Sequence, residues 1–293
     1  MSLELAQNSP LCAPEFLFGV ATSSFQIEGA AEQRLPSIWD TFCETPGRIK
    51  DGSHGATACD HVSRYRQDIA LMADLGVDAY RFSISWPRVM HADGKLNTKG
   101  CDFYLRLLDG LNENGIRAFA TLYHWDLPQH LEDQGGWLSR DTAYRFQGYA
   151  DAVSRVLGER VFSWATLNEP LCSARLAYEL GTHAPGFKDR ALAKQAAHHL
   201  LLSHGLGMQV LQQNCPDALN GIVLNLSPCH AASESEEDRA AAFRADQDLN
   251  GWYAGPVLAG AYPDLIGELP AAEVPEIREG DMETICQPLD FLG

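Results

Sequence analysis

The sequence predicts an α/β fold, a TIM (β/α)8 barrel, and three observations carry that prediction. Short apolar runs alternate with amphipathic helical segments, the pattern of a parallel sheet covered by helices. The first turn, "GVATSSFQIEGA" (19–30), lacks the GxGxxG fingerprint that a doubly wound dinucleotide fold would carry there. Polar and aromatic residues gather where successive apolar runs end: Gln26, Arg81, Ser85-Trp86, His124-Trp125-Asp126 and Asn168-Glu169. Chemistry collected at the carboxyl ends of many strands is the habit of a barrel.

The elements follow in order. "FLFGVATS" (16–23) reads as a first strand. After a polar loop, 61–76 reads as a helix, with Tyr65, Ile69 and Met72 on one face and Gly76 as its stop. "AYRFSIS" (79–85) is a second strand. Phe103, Leu107, Leu108 and Leu111 mark a second helix that ends near Gly115. "RAFATLYH" (117–124) is a third strand, and Phe146, Tyr149, Val153 and Val156 make a third helix. "SWATLNE" (163–169) is a fourth strand, 191–213 a fourth helix and "GIVLNLS" (221–227) a fifth strand. A further helix is expected from Arg239 to Ala254, and a sixth strand begins at Leu289. The sequence thus supplies about five β/α units and the start of a sixth strand. A barrel takes about 250 residues, and long loops account for the low strand count. "DFLG" (290–293) reads as an interrupted strand, since no helix follows to cover it. One catalytic domain over 1–293, with the C-terminal part of its barrel absent, is the expected organisation.

Composition narrows the function. The chain has 293 residues, 45% of them hydrophobic, enough for a large core. A net charge of −17 repels phosphate backbones and argues against a nucleic-acid partner. No apolar run approaches the ~18–20 residues that span a bilayer. "MSLELAQNSP" has neither a basic start nor an apolar core, so no signal peptide is read. The eight cysteines, at 12, 43, 59, 101, 172, 215, 229 and 286, form no CxxC pair. They read as reduced, mostly buried thiols of a cytoplasmic protein, not as a zinc site.

The chemistry centres on "SWATLNEP" (163–170). Glu169 ends a strand expected to be deeply buried, and lost hydration favours a protonated carboxyl, suited to proton donation near neutral pH. Asn168 offers an amide donor and acceptor for a sugar hydroxyl. Pro170 ends the strand. Strict alternation would send Asn168 and Glu169 to opposite faces, so sharing one pocket requires a twist or bulge. Alone, "NEP" is a weak signal, and Glu169 could equally pair with an arginine. "LYHWDLPQHL" (122–131) adds context: Trp125 can stack on a pyranose face and His124 can bond a hydroxyl, though a satisfied core histidine is the plainer reading. Gln26 follows strand one, where a solvent-facing amide is the bland alternative. Arg81 sits inside an apolar strand and needs a carboxylate partner, structural or catalytic.

Taken together, "FLFGVATSSFQIEGA", "SIWDTF", 55–89, "LYHWDLPQHLEDQGGW", "WATLNEP" and "GTHAPG" run in one order over about residues 15 to 186. In this the sequence resembles the N-terminal part of glycoside hydrolase family 1, the β-glucosidase family. Weaker similarity continues through "VLNLSP" and "GWYAGPVLAGAYP" to "LDFLG". The resemblance implies a barrel that hydrolyses terminal β-linked glucosides or cello-oligosaccharides with retention and without metal or organic cofactor. It implies Glu169 as general acid/base and Arg81 as the arginine that orients the nucleophile. It further implies Gln26, His124, Trp125, Asn168 and Cys172 as substrate-binding residues, Cys172 on the leaving-group side. Leu171 stands where many members carry Trp, which puts aglycone contact there in doubt. The family's nucleophile Glu, in a "TENG"-like stretch, is expected beyond residue 293, and Glu28 reads as structural instead. A complementing C-terminal part of the same barrel is the expected partner. A sugar-binding pseudoenzyme, a transglycosidase and a 6-phospho-β-glycosidase are the rival readings.

Overall fold

The computed structural model describes residue 6 and residues 8–293; most of the segment read for a signal peptide lies outside the described residues. Six parallel strands form one sheet in the order β1-β2-β3-β4-β5-β6. They are β1 (Gly19–Ala21), β2 (Ala79–Ser83), β3 (Arg117–Tyr123), β4 (Ser163–Asn168), β5 (Leu219–Val223) and β6 (Phe291–Leu292). Sequential order with every pair parallel is what repeated right-handed β/α crossovers produce. Among the described residues β1 and β6 each pair on one side only, so the sheet does not close on itself.

Four long helices cover the outer face: α1 (His61–Leu75), α2 (Thr98–Glu113), α3 (Asp141–Leu157) and α4 (Arg190–Asn214). Their buried stripes are those expected from the 3.6-residue period. Tyr65, Ile69 and Met72 on α1, Phe103, Leu107, Leu108 and Leu111 on α2, and Phe146, Tyr149 and Val153 on α3 all enter the core. Gly76 ends α1 in the left-handed conformation that its missing Cβ permits. The helix α4 is buried along most of its length and sits close against β4 and α3. Its Gly207 makes this approach feasible, since a Cβ there would lie 2.8 Å from the Phe146 ring.

Several boundaries depart from the sequence reading. The first strand is three residues long, and Ser24–Ile27 beyond it forms one helical turn. Gln26 therefore projects from a helical turn, not a loop. The fifth strand starts two residues earlier and ends at Val223, because Leu224 onward leaves the ladder. The helix expected over 239–254 extends from α5 (Glu236–Asp246) through a π-helical stretch, Gln247–Gly251, into α6 (Trp252–Ala259). A short α7 (Asp281–Ile285) precedes β6. The cysteines are also corrected: all eight are free, but only Cys101, Cys172 and Cys215 are buried. Cys12, closing the 3-10 turn Pro10–Cys12, and Cys59, in a turn, are exposed.

Candidate active site

The site is built at the carboxyl ends of β2, β3 and β4. Tyr80 of β2 packs edge-on to His61 of α1, which fixes that face of the strand toward the helices. Arg81, next in line, therefore points inward. Its Nη2 donates to Asn168 Oδ1 at 2.6 Å and its Nε to Thr121 Oγ1 at 3.2 Å. Among the described residues it has no carboxylate partner at salt-bridge distance. Burial lowers the Arg81 pKa, and the charge of Glu169 works against that shift.

The strand β4 contains the irregularity that the chemistry requires. Thr166 Oγ1 lies 2.7 Å from His204 Nδ1 on α4, so Thr166 faces the helices. Two residues later Asn168 bonds Arg81 across the interior. Period-two alternation would put both on one face. The register with β5 shifts between Ala165 and Asn168, and that bulge turns Asn168 inward. Glu169 follows with φ 48°, in the left-handed region. Its N–H still bonds Val223 O at 2.8 Å, so the strand continues while its side chain is re-aimed. All of β4 is buried, but Glu169 itself is half-buried, less enclosed than the sequence suggested.

Trp125 is held from the other side. It has φ 81°, and its Nε1 donates to Asn168 O at 2.9 Å. The indole thus grips the peptide bond that leads into Glu169. Two left-handed residues, Trp125 and Glu169, the first bonded to the carbonyl that precedes the second, are strain concentrated at one place, as expected where side chains must converge. His124 Nε2 lies 3.3 Å from Asn168 Nδ2. Burial, then the Arg81 charge, push the His124 pKa down to about 3, so the ring is neutral near pH 7.

Gln26, His124 and Trp125 line one open cavity of ≈ 300 Å³. Sequence reasoning missed its other walls, among them Phe25, Trp39 and His54. His183 was missed as well. Its ring is edge-on to Trp39 and Trp125, at 5.4 Å from each, and burial lowers its pKa while Glu169 opposes that shift. It lay inside the quoted "GTHAPG", but nothing in that stretch marked the histidine above its neighbours. Cys172 Sγ donates to Glu169 Oε2 at 3.2 Å. Glu28 is structural, as read: it is buried against Arg88 Nε at 2.8 Å and accepts from Tyr104.

Aromatic rings, a neutral imidazole and amides thus gather near a strand-end carboxylate on a parallel β/α sheet. The profile of Glycosyl hydrolase family 1 matches residues 11–293, and the chain belongs to that family. It is 46% identical over 282 residues to a β-glucosidase of an Agrobacterium species, covering 95% of this chain and 61% of that protein. It is 44% identical to β-glucosidase A of Thermotoga maritima, covering 95% of this chain and 63% of the relative. Among solved structures, virulence factor SghA of Agrobacterium tumefaciens, in complex with its substrate analog salicin, superimposes with a TM-score of 0.92 at 46% identity. That match covers 94% of this chain and 62% of the other. The chain therefore spans between 61% and 63% of the length of these relatives. No described helix is long and apolar enough to cross a membrane.

Proposed function

We propose that this chain carries the acid/base side of a retaining β-glucosidase site. Glu169 protonates the departing glycosidic oxygen and later takes a proton from the attacking water. Gln26, His124 and Asn168 bond the hydroxyls of the terminal sugar, and Trp125 lines its apolar face. Neutral His124 can both donate and accept, which suits a hydroxyl. Retention requires a second carboxyl about 5–5.5 Å from the first. That nucleophile is a Glu from sequence beyond residue 293, in the complementing part of the same barrel. Arg81 orients it, and its inward guanidinium, bonded only to neutral oxygens, is shaped to receive a carboxylate. Proton transfer is the step these residues perform; no cofactor enters it.

The single observation that carries the reading is the β4 bulge followed by left-handed Glu169, which turns the Asn168 amide to Arg81 and re-aims the carboxyl that follows it. The relatives' printed β-glucosidase names and the salicin complex support the substrate class. Glu169→Gln tests it in the complete barrel. With an aryl β-glucoside bearing a poor leaving group, kcat/KM should fall by about 10²-fold or more. Unchanged turnover would refute the assignment. Firm glucose binding by calorimetry with no turnover in the wild type would favour the sugar-binding reading instead.

A further inference from the structure

Cys172 occupies the first turn after Pro170, in the π-helical segment Cys172–Glu179. A π-helical turn widens the helix by one residue and often marks a functional position. Here the segment starts beside the acid. Cys172 N bonds Glu169 O at 2.8 Å, and its Sγ donates to Glu169 Oε2 at 3.2 Å. The sulfur in turn accepts from Asn225 Nδ2 at 3.7 Å, from the chain just past β5. Donor, thiol and carboxylate therefore form a directed chain across the tops of two neighbouring strands. Cys172 is buried, and Leu171 beside it is buried too, so the thiol faces the carboxyl, not solvent.

We propose that Cys172 is a positioning residue: its S–H, oriented by Asn225, holds one oxygen of Glu169 and sets the proton affinity of that carboxyl. This rests on Glu169 being the acid/base, and departs from the expectation that Cys172 contacts the leaving group directly. A donor to a carboxylate stabilises its ionised form. The other titratable groups close enough to feel the Glu169 charge are Arg81 from β2 and His183 from the loop after the π-helical segment. The reciprocal effect is present on the sulfur: burial, then the Glu169 contact, push the Cys172 thiol up to about 12. Such a thiol stays protonated at neutral pH, as a donor must. Serine would preserve the donor, and valine would preserve the volume without it.

The test is direct titration of the Glu169 side-chain carboxyl by ¹³C NMR in the complete barrel, its signal assigned by its loss in Glu169→Gln. In Cys172→Val the midpoint should rise by about 0.5–1 pH unit, the size expected for losing one weak donor to a charged acceptor. Cys172→Ser should restore it to the wild-type value or below. A valine variant with the wild-type midpoint overturns the proposal, and so does a serine variant that behaves like valine. If Glu169→Gln spares turnover in the complete barrel while these shifts appear, the acid/base assignment fails and the thiol contact stands.

Discussion

At the scale of single residues, the molecule places ionisable groups where water is scarce and leaves some of them short of partners. Asp126 follows Trp125 directly and is 1% exposed. Its Oδ2 accepts from Ser24 at 2.9 Å, but among the described residues its Oδ1 has no hydrogen-bond partner. Burial pushes its pKa from 3.8 up to about 7, with Glu28 adding to the rise and Ser24, Ser85 and Arg34 opposing it. The folded state thus keeps a proton that the unfolded chain releases near pH 4. The stability Asp126 contributes is fully present below that pH and is lost as pH rises through 7. Asp126→Asn cannot ionise, so the stability difference, wild type minus variant, should shrink by a few kcal/mol between pH 4 and pH 8. Paired urea titrations at the two pH values measure it, and a constant difference would show that folding leaves the carboxyl's proton affinity unchanged. Residues of this kind are poorly legible in sequence. "HWD" announced polar groups at a strand end, but only the fold shows that the third of them is sealed beneath the cavity.

Elements are tied to one another by a few buried charges, not only by apolar packing. Glu28, just past the first helical turn, meets Arg88 of the short helix Trp86–Val89 at 2.8 Å and also accepts from Tyr104 of α2. Arg88 Nη2 further donates to Gly29 O at 2.9 Å. Both charged side chains are almost wholly buried, 2% and 5% exposed. The loops after β1 and β2 are therefore locked together beneath Gln26. Arg88→Ala would strand a buried carboxylate and should cost about 3–5 kcal/mol. Arg88→Met with Glu28→Gln removes both charges and should recover most of that loss. Thermal unfolding of the single and double variants decides between this and a purely steric role, in which the double variant would be no better than the single. The long helices were legible because their apolar period is strong, and Phe146, Tyr149 and Val153 landed where the pattern sent them. The one-turn helix at Ser24 and the π-helical stretches were not. They are set by tertiary contacts such as the Ser24 N–H bond to Ser83 Oγ, which no local propensity encodes. The need for a bulge near Asn168 was readable from two adjacent site residues on one strand; its location between Ala165 and Asn168 was not.

At the scale of the whole molecule, the parallel sheet has two free margins among the described residues: β1 has only β2 beside it and β6 has only β5. Near these margins Phe16, Phe18, Leu226 and Leu292 are exposed, at 39%, 50%, 49% and 44%. Unpaired strand edges flanked by large apolar side chains are templates for association. A barrel abolishes such edges by closing, and under the proposed function closure would also bring the nucleophile carboxylate toward Arg81. Structural completion and catalytic completion are in this view one event. The 293-residue chain by itself should therefore bind a hydrophobic dye strongly, and it should aggregate as concentration rises. Supplying the complementing barrel segment in trans should quench the dye signal and produce aryl β-glucosidase activity over the same range of added segment. If dye binding is lost at a concentration where activity remains absent, closure and assembly of the site are separate steps. A chain that is monomeric, binds no dye and unfolds cooperatively without any partner would mean that the margins are protected in some other way.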